Sequence, residues 1–494
     1  MVVDALVLAI FGLGWTTDAY FLATTVPLAL TPVLTVQAWV VVQPLFIHAR
    51  ENEGEQSGWP VLNLIITTSA VIVFILAAIG ALSSTWLIRA QAPGLDAPAL
   101  TLATRASWVC FLVLPLVCSS TIMQSALNAC GSFALPGAAK LIESASRLVF
   151  LLMFHRQLGV FALVLGTSVG VLLQLTLFYR ALSKWGYRYQ WHFSLRHPVF
   201  TRSSGMMRYP LISQLAGTGV EIANNALASM IGAGGISALR FATRIIDSLA
   251  GLFANSIVVA AAPTLASDLA LGDTRKAQGS LRHAVHLLLL VTIPLSMWLA
   301  VMGQPLIAFL YERKNFTTDN VHLIASVLML MIPYIFLSRL LGLTELVFFG
   351  RCDTKTPFIG SMLIAVLFIG TSLALFPLLN LYALPIGRST AYFIGSLLML
   401  YLARRELGGL EFHLLKSSTA RILLASTAMA ALVLLALRFV ESVPLHGFIR
   451  QVVSLGVPSL VGGSFLLWAL IMLRVVNGAS VYSLPGMRWL QMRT

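Results

Sequence analysis

Long apolar runs separated by short polar breaks recur along almost the whole chain. They fall at about 19–48, 60–89, 99–128, 133–155, 158–182, 206–231, 236–268, 283–311, 320–349, 356–379, 381–403, 419–439 and 446–474. Each is near or above the roughly 20 residues that an α-helix needs to cross a bilayer. The pattern predicts thirteen complete transmembrane helices. Residues 1–11 add an apolar stretch too short to cross, which reads as the second half of a truncated first helix. Strands of a membrane barrel would be about ten residues long and alternating, unlike these continuous runs. The fold class expected is an all-α polytopic membrane protein. The start, MVVDALVLAIFGLG, lacks a basic segment and a clear small-residue cleavage site, so it reads as mature chain.

The basic residues orient these helices. One set of alternate loops holds twenty of them: Arg50; Lys140; Arg180, Lys184, Arg188, Arg196, Arg202 and Arg208; Arg275, Lys276 and Arg282; Arg351 and Lys355; Arg404, Arg405, Lys416 and Arg421; Arg474, Arg488 and Arg493. The other set holds six: Arg89, Arg105, Arg156, Arg313, Lys314 and Arg450. The asymmetry puts the first set in the cytoplasm. It also accounts for the net charge of +14, with no nucleic-acid partner implied. The division expected is an N-lobe over 1–184, a basic cytoplasmic linker over 185–205, a C-lobe over 206–405, and two further helices with a tail over 406–494. Only 10% of the residues are charged, against about 25% in soluble domains.

The two halves share a faint repeat. FGLGWTTDAYF (11–21) aligns with IGAGGISALRF (231–241), matching Gly12 with Gly232, Gly14 with Gly234 and Phe21 with Phe241. Pro44 pairs with Pro263 after a one-residue slip. Parallel repeats are a transporter architecture, with substrate held between the halves.

Charges at membrane depth are the candidate chemistry. Arg147, Arg240, Arg244, Arg339, Arg388 and Arg438 lie within spans, and Asp4, Asp18, Glu143, Glu221, Asp247 and Glu345 lie at or near that depth. A charge at the bilayer centre costs at least about 2.5–3.5 kcal/mol, so such groups face the bundle interior or a wet cavity. Arg240 and Arg244 share one helical face, suited to holding phosphate or pyrophosphate bidentately. Two other readings stand beside that one: Arg244 bridged to Asp247, and Arg240 snorkelling to the outer interface. Asp18 either caps its own helix or acts as a gating or ion-coupling carboxylate. Lys140, Glu143 and Arg147 read as an ion network on one helix, or as a ligand site. Glu221 with Asn224 and Asn225 is suited to helix–helix hydrogen bonds or to a cation. Arg339 and Glu345 fit a lateral ion pair or outer support, and Arg388 fits snorkelling at an outer helix end.

Several classes of chemistry find no support. The cysteines, Cys110, Cys118, Cys130 and Cys352, form no CxxC pair, and the histidines show no metal-ligand spacing. No G-x-x-x-x-G-K-[ST] motif occurs. The expectation is a transporter rather than an enzyme, with no catalytic residue, metal or cofactor, driven by an ion gradient, the membrane potential or the substrate's own gradient.

Four stretches carry a resemblance to the MviN/MurJ group of the multidrug/oligosaccharidyl-lipid/polysaccharide (MOP) exporter superfamily. They are DALVLAIFGLGWTTDAYFLATTVP (4–27), ALNACGSFALP (126–136), ALRFATRIIDSLAGLFANSIVVAAAPTLA (238–266), and the loop pair LIAFLYERKNFTTDN (306–320) with FFGRCDTKTPF (348–358). The resemblance implies two pseudo-symmetric six-helix lobes around a cationic cavity, and two C-terminal helices lining a groove for a lipid tail. It implies a flippase that moves lipid II, the undecaprenyl-pyrophosphate-linked peptidoglycan precursor, from the inner to the outer leaflet of the bacterial cytoplasmic membrane by alternating access. Its functional arginine falls on Arg244. Arg244, Arg240 and Asp18 are then the expected substrate-binding residues, and Asp4, Asp247, Glu221, Asn224 and Arg339 the coupling or supporting ones. Other family arginines have no counterpart here, since Val3 and Thr31 stand at two such positions. Membrane lipids and the cell-wall synthesis machinery are the further partners expected. Two alternatives remain open: export of another polyprenyl-linked oligosaccharide, and a diverged membrane scaffold that transports nothing.

Overall fold

The computed structural model describes residues 2–37, 46, 57–132, 134–194, 198–311, 318–351, 353–410, 413–443, 447–473 and 475. Pro44, Arg50, Arg196, Arg313, Lys314, Cys352, Arg474, Arg488 and Arg493 lie outside the described residues, as do residues 312–317 of the loop motif 306–320 and the side chains of Arg202 and Arg208. Every regular element among the described residues is helical. The described chain forms two compact units, Val2–Ser237 and Ala238–Thr494.

The first unit contains α1 (Val2–Phe11), α2 (Trp15–Gln37), α3 (Gly58–Leu82), α4 (Ser84–Gln91), α5 (Ala97–Ala129), α6 (Ala134–Leu158), α7 (Phe161–Ser183) and α8 (Pro198–Ser229). With ten residues, α1 rises about 15 Å, half of the hydrocarbon thickness. Next comes α9 (Gly235–Phe253), whose first turn belongs to the first unit and whose remainder belongs to the second. The second unit continues with α10 (Asn255–Ala270), α11 (Thr274–Tyr311), α12 (Thr318–Phe349), α13 (Lys355–Leu379), a 3-10 turn (Asn380–Tyr382), α14 (Ala383–Glu406), α15 (His413–Ser442) and α16 (Gly447–Met472).

Eight segments among the described residues are long and apolar enough to cross a membrane, or nine if the pair α9–α10, bent by 47°, is one span. This criterion does not reach thirteen. The run 355–406 counts once although it holds both α13 and α14, and α6 is disqualified by Lys140, Glu143, Arg147 and Arg156. The apolar run 236–268 is broken at Ala254, between Gly251 and Asn255, two residues of low helix preference. Large apolar side chains such as Phe74, Ile75, Ile79 and Leu82 of α3 point outward, as a surface solvated by lipid requires.

The units divide after Ser237, some thirty residues past the basic linker expected at 185–205, because α8 is tied to the first unit. Asn225 Nδ2 of α8 donates to Thr25 Oγ1 of α2 at 3.1 Å. The Gly94 N–H donates to Ser229 Oγ at 3.3 Å, and Gly94 packs so closely that a Cβ there would lie 2.5 Å from the Ser229 carbonyl.

The two glycine-rich turns predicted from the repeat interrupt the helices as expected. Gly12 has φ +70° between α1 and α2, and Gly232 and Gly234 have φ +126° and +92° between α8 and α9. Only glycine takes these values readily. The turns also meet: a Cβ on Gly234 would be 3.3 Å from Leu13 Cγ.

This approach explains Asp18, which is 2% exposed. Its carboxylate does not cap its own helix. Instead it accepts the Gly234 N–H at 2.7 Å, the Ser237 N–H at 2.8 Å and the Ser237 hydroxyl. Gly234 and Ser237 flank the start of α9, where backbone N–H groups have no intrahelical acceptor. One carboxylate from α2 thus caps a helix more than two hundred residues later in the chain.

Two glycines let α7 approach the α6 backbone closely. On α7, Gly166 and Gly170 lie against α6, where added Cβ atoms would be 2.8 Å from Arg147 Cα and 2.9 Å from Glu143 Cα. Ser146 Oγ donates to the Gly166 carbonyl at 2.8 Å across the same seam. In the second unit, α15 and α16 pack on α11 through Met302, Met429 and Val433. Asp353 accepts the Lys355 N–H at 2.8 Å and the Thr356 N–H at 3.1 Å, which caps the entry to α13.

Two stability predictions follow from these contacts. Gly166→Leu forces α6 and α7 apart and is expected to destabilise the first unit by about 1–3 kcal/mol, the usual range for overpacking. Asp18→Asn removes the charge from three hydrogen bonds and is expected to destabilise by on the order of 3 kcal/mol. Thermal melting of the detergent-solubilised protein checks both. An unchanged midpoint in either variant contradicts the corresponding contact.

Candidate functional site

In the second unit the charged residues gather on the face of α9. Arg240, Arg244 and Asp247 follow one another at helical spacing; Arg240 is half-buried, while Arg244 and Asp247 are exposed. Asp247 Oδ1 lies 3.8 Å from Arg339 Nη2 of α12. Arg339 Nη1 donates to Asn255 Oδ1 at 3.3 Å, at the start of α10. Arg339 therefore supports the bend between α9 and α10. It does not pair with Glu345, as the sequence suggested, because their spacing puts them on different sides of α12.

Arg388 is a second correction. It is only 9% exposed and does not snorkel. Its guanidinium carbon is 5.8 Å from the Tyr334 ring centroid and 5.8 Å from that of Phe368. Two aromatic faces thus stabilise a cation inside the helix packing. Tyr334 is fixed in turn by an edge-on contact with Tyr392, 4.7 Å between centroids.

The first unit holds the remaining candidates. Asp18 faces the start of α9, as described above. Asp4 of α1 is buried, and Arg147 of α6 lies beside the hydroxyl of Tyr20. Glu221 is half-buried and Asn224 is buried on α8, beside Asn225, which makes the helix–helix hydrogen bond to Thr25. Of the expected network on α6, Glu143 and Arg147 approach to 3.8 Å, while Lys140 is exposed. Among the described residues no group of three or more His, Cys, Asp or Glu side chains is placed to hold a metal ion.

The structure thus brings Asp247 and Arg339 together, and joins Asp18 to the first turn of the helix that bears Arg240 and Arg244. Sequence reasoning missed Ser237, Asn255, Tyr20 and Tyr334 as the partners of these charges. For Ser237 a signal existed: the repeat aligns Asp18 with Ala238, its immediate neighbour. The other three are ordinary polar or aromatic residues at helical positions, with nothing in their spacing to single them out. Chemically, the α9 face offers two guanidinium groups to an anion, with Asp247 and Arg339 completing the charge pattern one turn further on.

Comparison with known proteins identifies the family. The family profile described as "Lipid II flippase MurJ" matches residues 7–453. A curated relative, the probable lipid II flippase MurJ of Bdellovibrio bacteriovorus, is 26% identical over 353 residues, which cover 69% of this chain and 66% of that relative, just under two thirds of its length. A solved structure of the lipid II flippase MurJ in an inward closed conformation is similar with a TM-score of 0.77 and 19% identity, covering 95% of each chain. An inward-facing multidrug resistance MATE transporter of the MOP superfamily gives a TM-score of 0.69 at 16% identity, covering 82% of this chain and 93% of that one. At these identities the two structures bear on the fold alone. The profile match spans most of the chain, from the half-helix at its start into α16, and the chain therefore belongs to the lipid II flippase MurJ family.

Proposed function

We propose that this protein moves lipid II from the inner to the outer leaflet of the bacterial cytoplasmic membrane by alternating access. The substrate's pyrophosphate carries the charge that hydrocarbon excludes, so a path for it needs fixed cations at depth. The observation that carries this reading is the α9 face, with Arg240 and Arg244 on one side of a helix whose first turn is pinned by Asp18. Two guanidinium groups offer about ten N–H donors in planar forks that match phosphate oxygens. Asp247, held near Arg339, limits the net charge of this face and keeps the arginines from trapping the anion too tightly. Glu221 and Asn224 on α8, with Asp4 on α1, are the polar groups available for coupling to the membrane potential or a cation gradient. Membrane lipids and the cell-wall synthesis machinery are the partners this activity brings with it.

Rescue tests the reading. Expression in a bacterium depleted of its own lipid II flippase is expected to restore growth. Arg244→Ala is expected to abolish rescue at normal expression, since losing charge-assisted hydrogen bonds weakens anion binding by about 10–100-fold. Full rescue by Arg244→Ala contradicts the assignment of the α9 face.

A further inference from the structure

The segment that follows α7 carries a pattern that the transport path does not use. Residues 184–193 read KWGYRYQWHF, with an aromatic ring at every odd position and a polar residue or glycine at every even one. Strict alternation is not a helical period, and the segment is not helical. Gly186, at φ +88°, turns the chain out of α7. Tyr187 then inserts into the packing, its ring 5.5 Å from that of Trp59 on α3 and 5.8 Å from that of Tyr179 on α7. From there the segment runs as a strap along α3. Asn63 Nδ2 donates to the Arg188 carbonyl at 3.1 Å, the Tyr189 hydroxyl lies 3.0 Å from Thr67 Oγ1, and the Ser194 N–H donates to Thr68 Oγ1 at 3.3 Å. Burial on α3 is unbroken from Leu62 to Ser69, so every side of those two turns is covered. The large side chains of α3 point outward only from Ile72 onward. The strap therefore stands where lipid would otherwise lie, beside the cytoplasmic third of α3.

The exposed surface of the strap is aromatic and cationic. Trp185 and Phe193 are exposed, and Trp191 is 71% exposed. Arg180, Lys184 and Arg188 are exposed as well, and among the described residues none of them meets a carboxylate. No Asp or Glu occurs anywhere between Glu143 and Glu221. Topology asks for cations in a cytoplasmic loop. It does not ask for alternate aromatic rings, for a backbone pinned to α3, or for the exclusion of every acid. Trp and Tyr settle at the headgroup level of a bilayer, where one end is apolar and the other wet. Cations beside them attract anionic headgroups, an attraction that acidic neighbours would cancel.

We propose that this strap is a docking site for an anionic phospholipid of the cytoplasmic leaflet. Lys184 and Arg188 take the headgroup, and Trp185, Trp191 and Phe193 lie among the glycerol and upper acyl groups. Asn63, Thr67 and Thr68 are positioning residues, since they hold the strap against α3 at the level of the inner headgroups. That level favours a lipid over an acidic cytoplasmic protein as the occupant. The site lies within the first unit and does not depend on the lipid II reading.

Titration of the purified full-length protein in detergent tests it, with bound lipid counted by native mass spectrometry. Phosphatidylglycerol is the probe, and phosphatidylcholine with the same acyl chains is the zwitterionic control. The wild-type protein is expected to prefer phosphatidylglycerol. Lys184→Gln combined with Arg188→Gln is expected to weaken phosphatidylglycerol binding about tenfold and to leave phosphatidylcholine binding unchanged. Both side chains are exposed, and the bond from Asn63 uses the Arg188 carbonyl, which the substitution keeps. Trp191→Ala is expected to weaken both lipids about threefold. Arg404→Gln combined with Arg405→Gln, an exposed pair at the end of α14, lowers the net charge equally and is expected to leave the preference intact. No preference in the wild-type protein, the result if these cations serve an acidic protein instead, overturns the inference. An unchanged preference in the strap variant overturns it too, as does an equal loss in the two double variants. Each of these results leaves the lipid II reading untouched.

Discussion

The carboxylate of Asp18 is the interaction on which the rest of this architecture depends. In a chain whose surroundings are hydrocarbon, a helix that begins inside the protein exposes N–H groups that water does not reach. Asp18 accepts two such groups, from Gly234 and Ser237, together with the Ser237 hydroxyl. Its negative charge also complements the positive end of the α9 dipole. The glycine turns make this possible, since Gly12 and Gly234 take backbone conformations that bring α2 and the start of α9 together. With its first turn fixed, α9 presents Arg240 and Arg244 from a defined origin rather than from a fraying end.

The same accounting runs through the other charges. Asp247 is matched by Arg339, and Arg339 by Asn255 at the break before α10. Arg388 is enclosed by Tyr334 and Phe368. A structural charge at depth is thus surrounded by groups that answer it.

The helical class and the family were legible from the apolar runs and four local motifs, because lipid imposes a length and a polarity that show directly in sequence. The glycine turns were legible for the same reason, being local. The role of Asp18 was not read, since its partners lie more than two hundred residues on and the only trace of them is the repeat, which aligns Asp18 with the neighbour of Ser237. The bend at Ala254 escaped because apolarity continues through it, and the pattern from 236 to 268 reads as one span. Arg388 misled because Pro385 and Gly387 imitate a helix end, while the rings that bury it come from α12 and α13. The division after Ser237 was hidden by the basic loop, which marks topology and not compactness.

The most direct measurement is translocation in reconstituted proteoliposomes carrying headgroup-labelled fluorescent lipid II, with a membrane-impermeant reductant added outside. The account predicts that label on the inner leaflet becomes accessible with time when the protein is present, and stays protected in protein-free vesicles. Protection identical in the two preparations, with a membrane potential and cation gradients imposed in either direction, would contradict it.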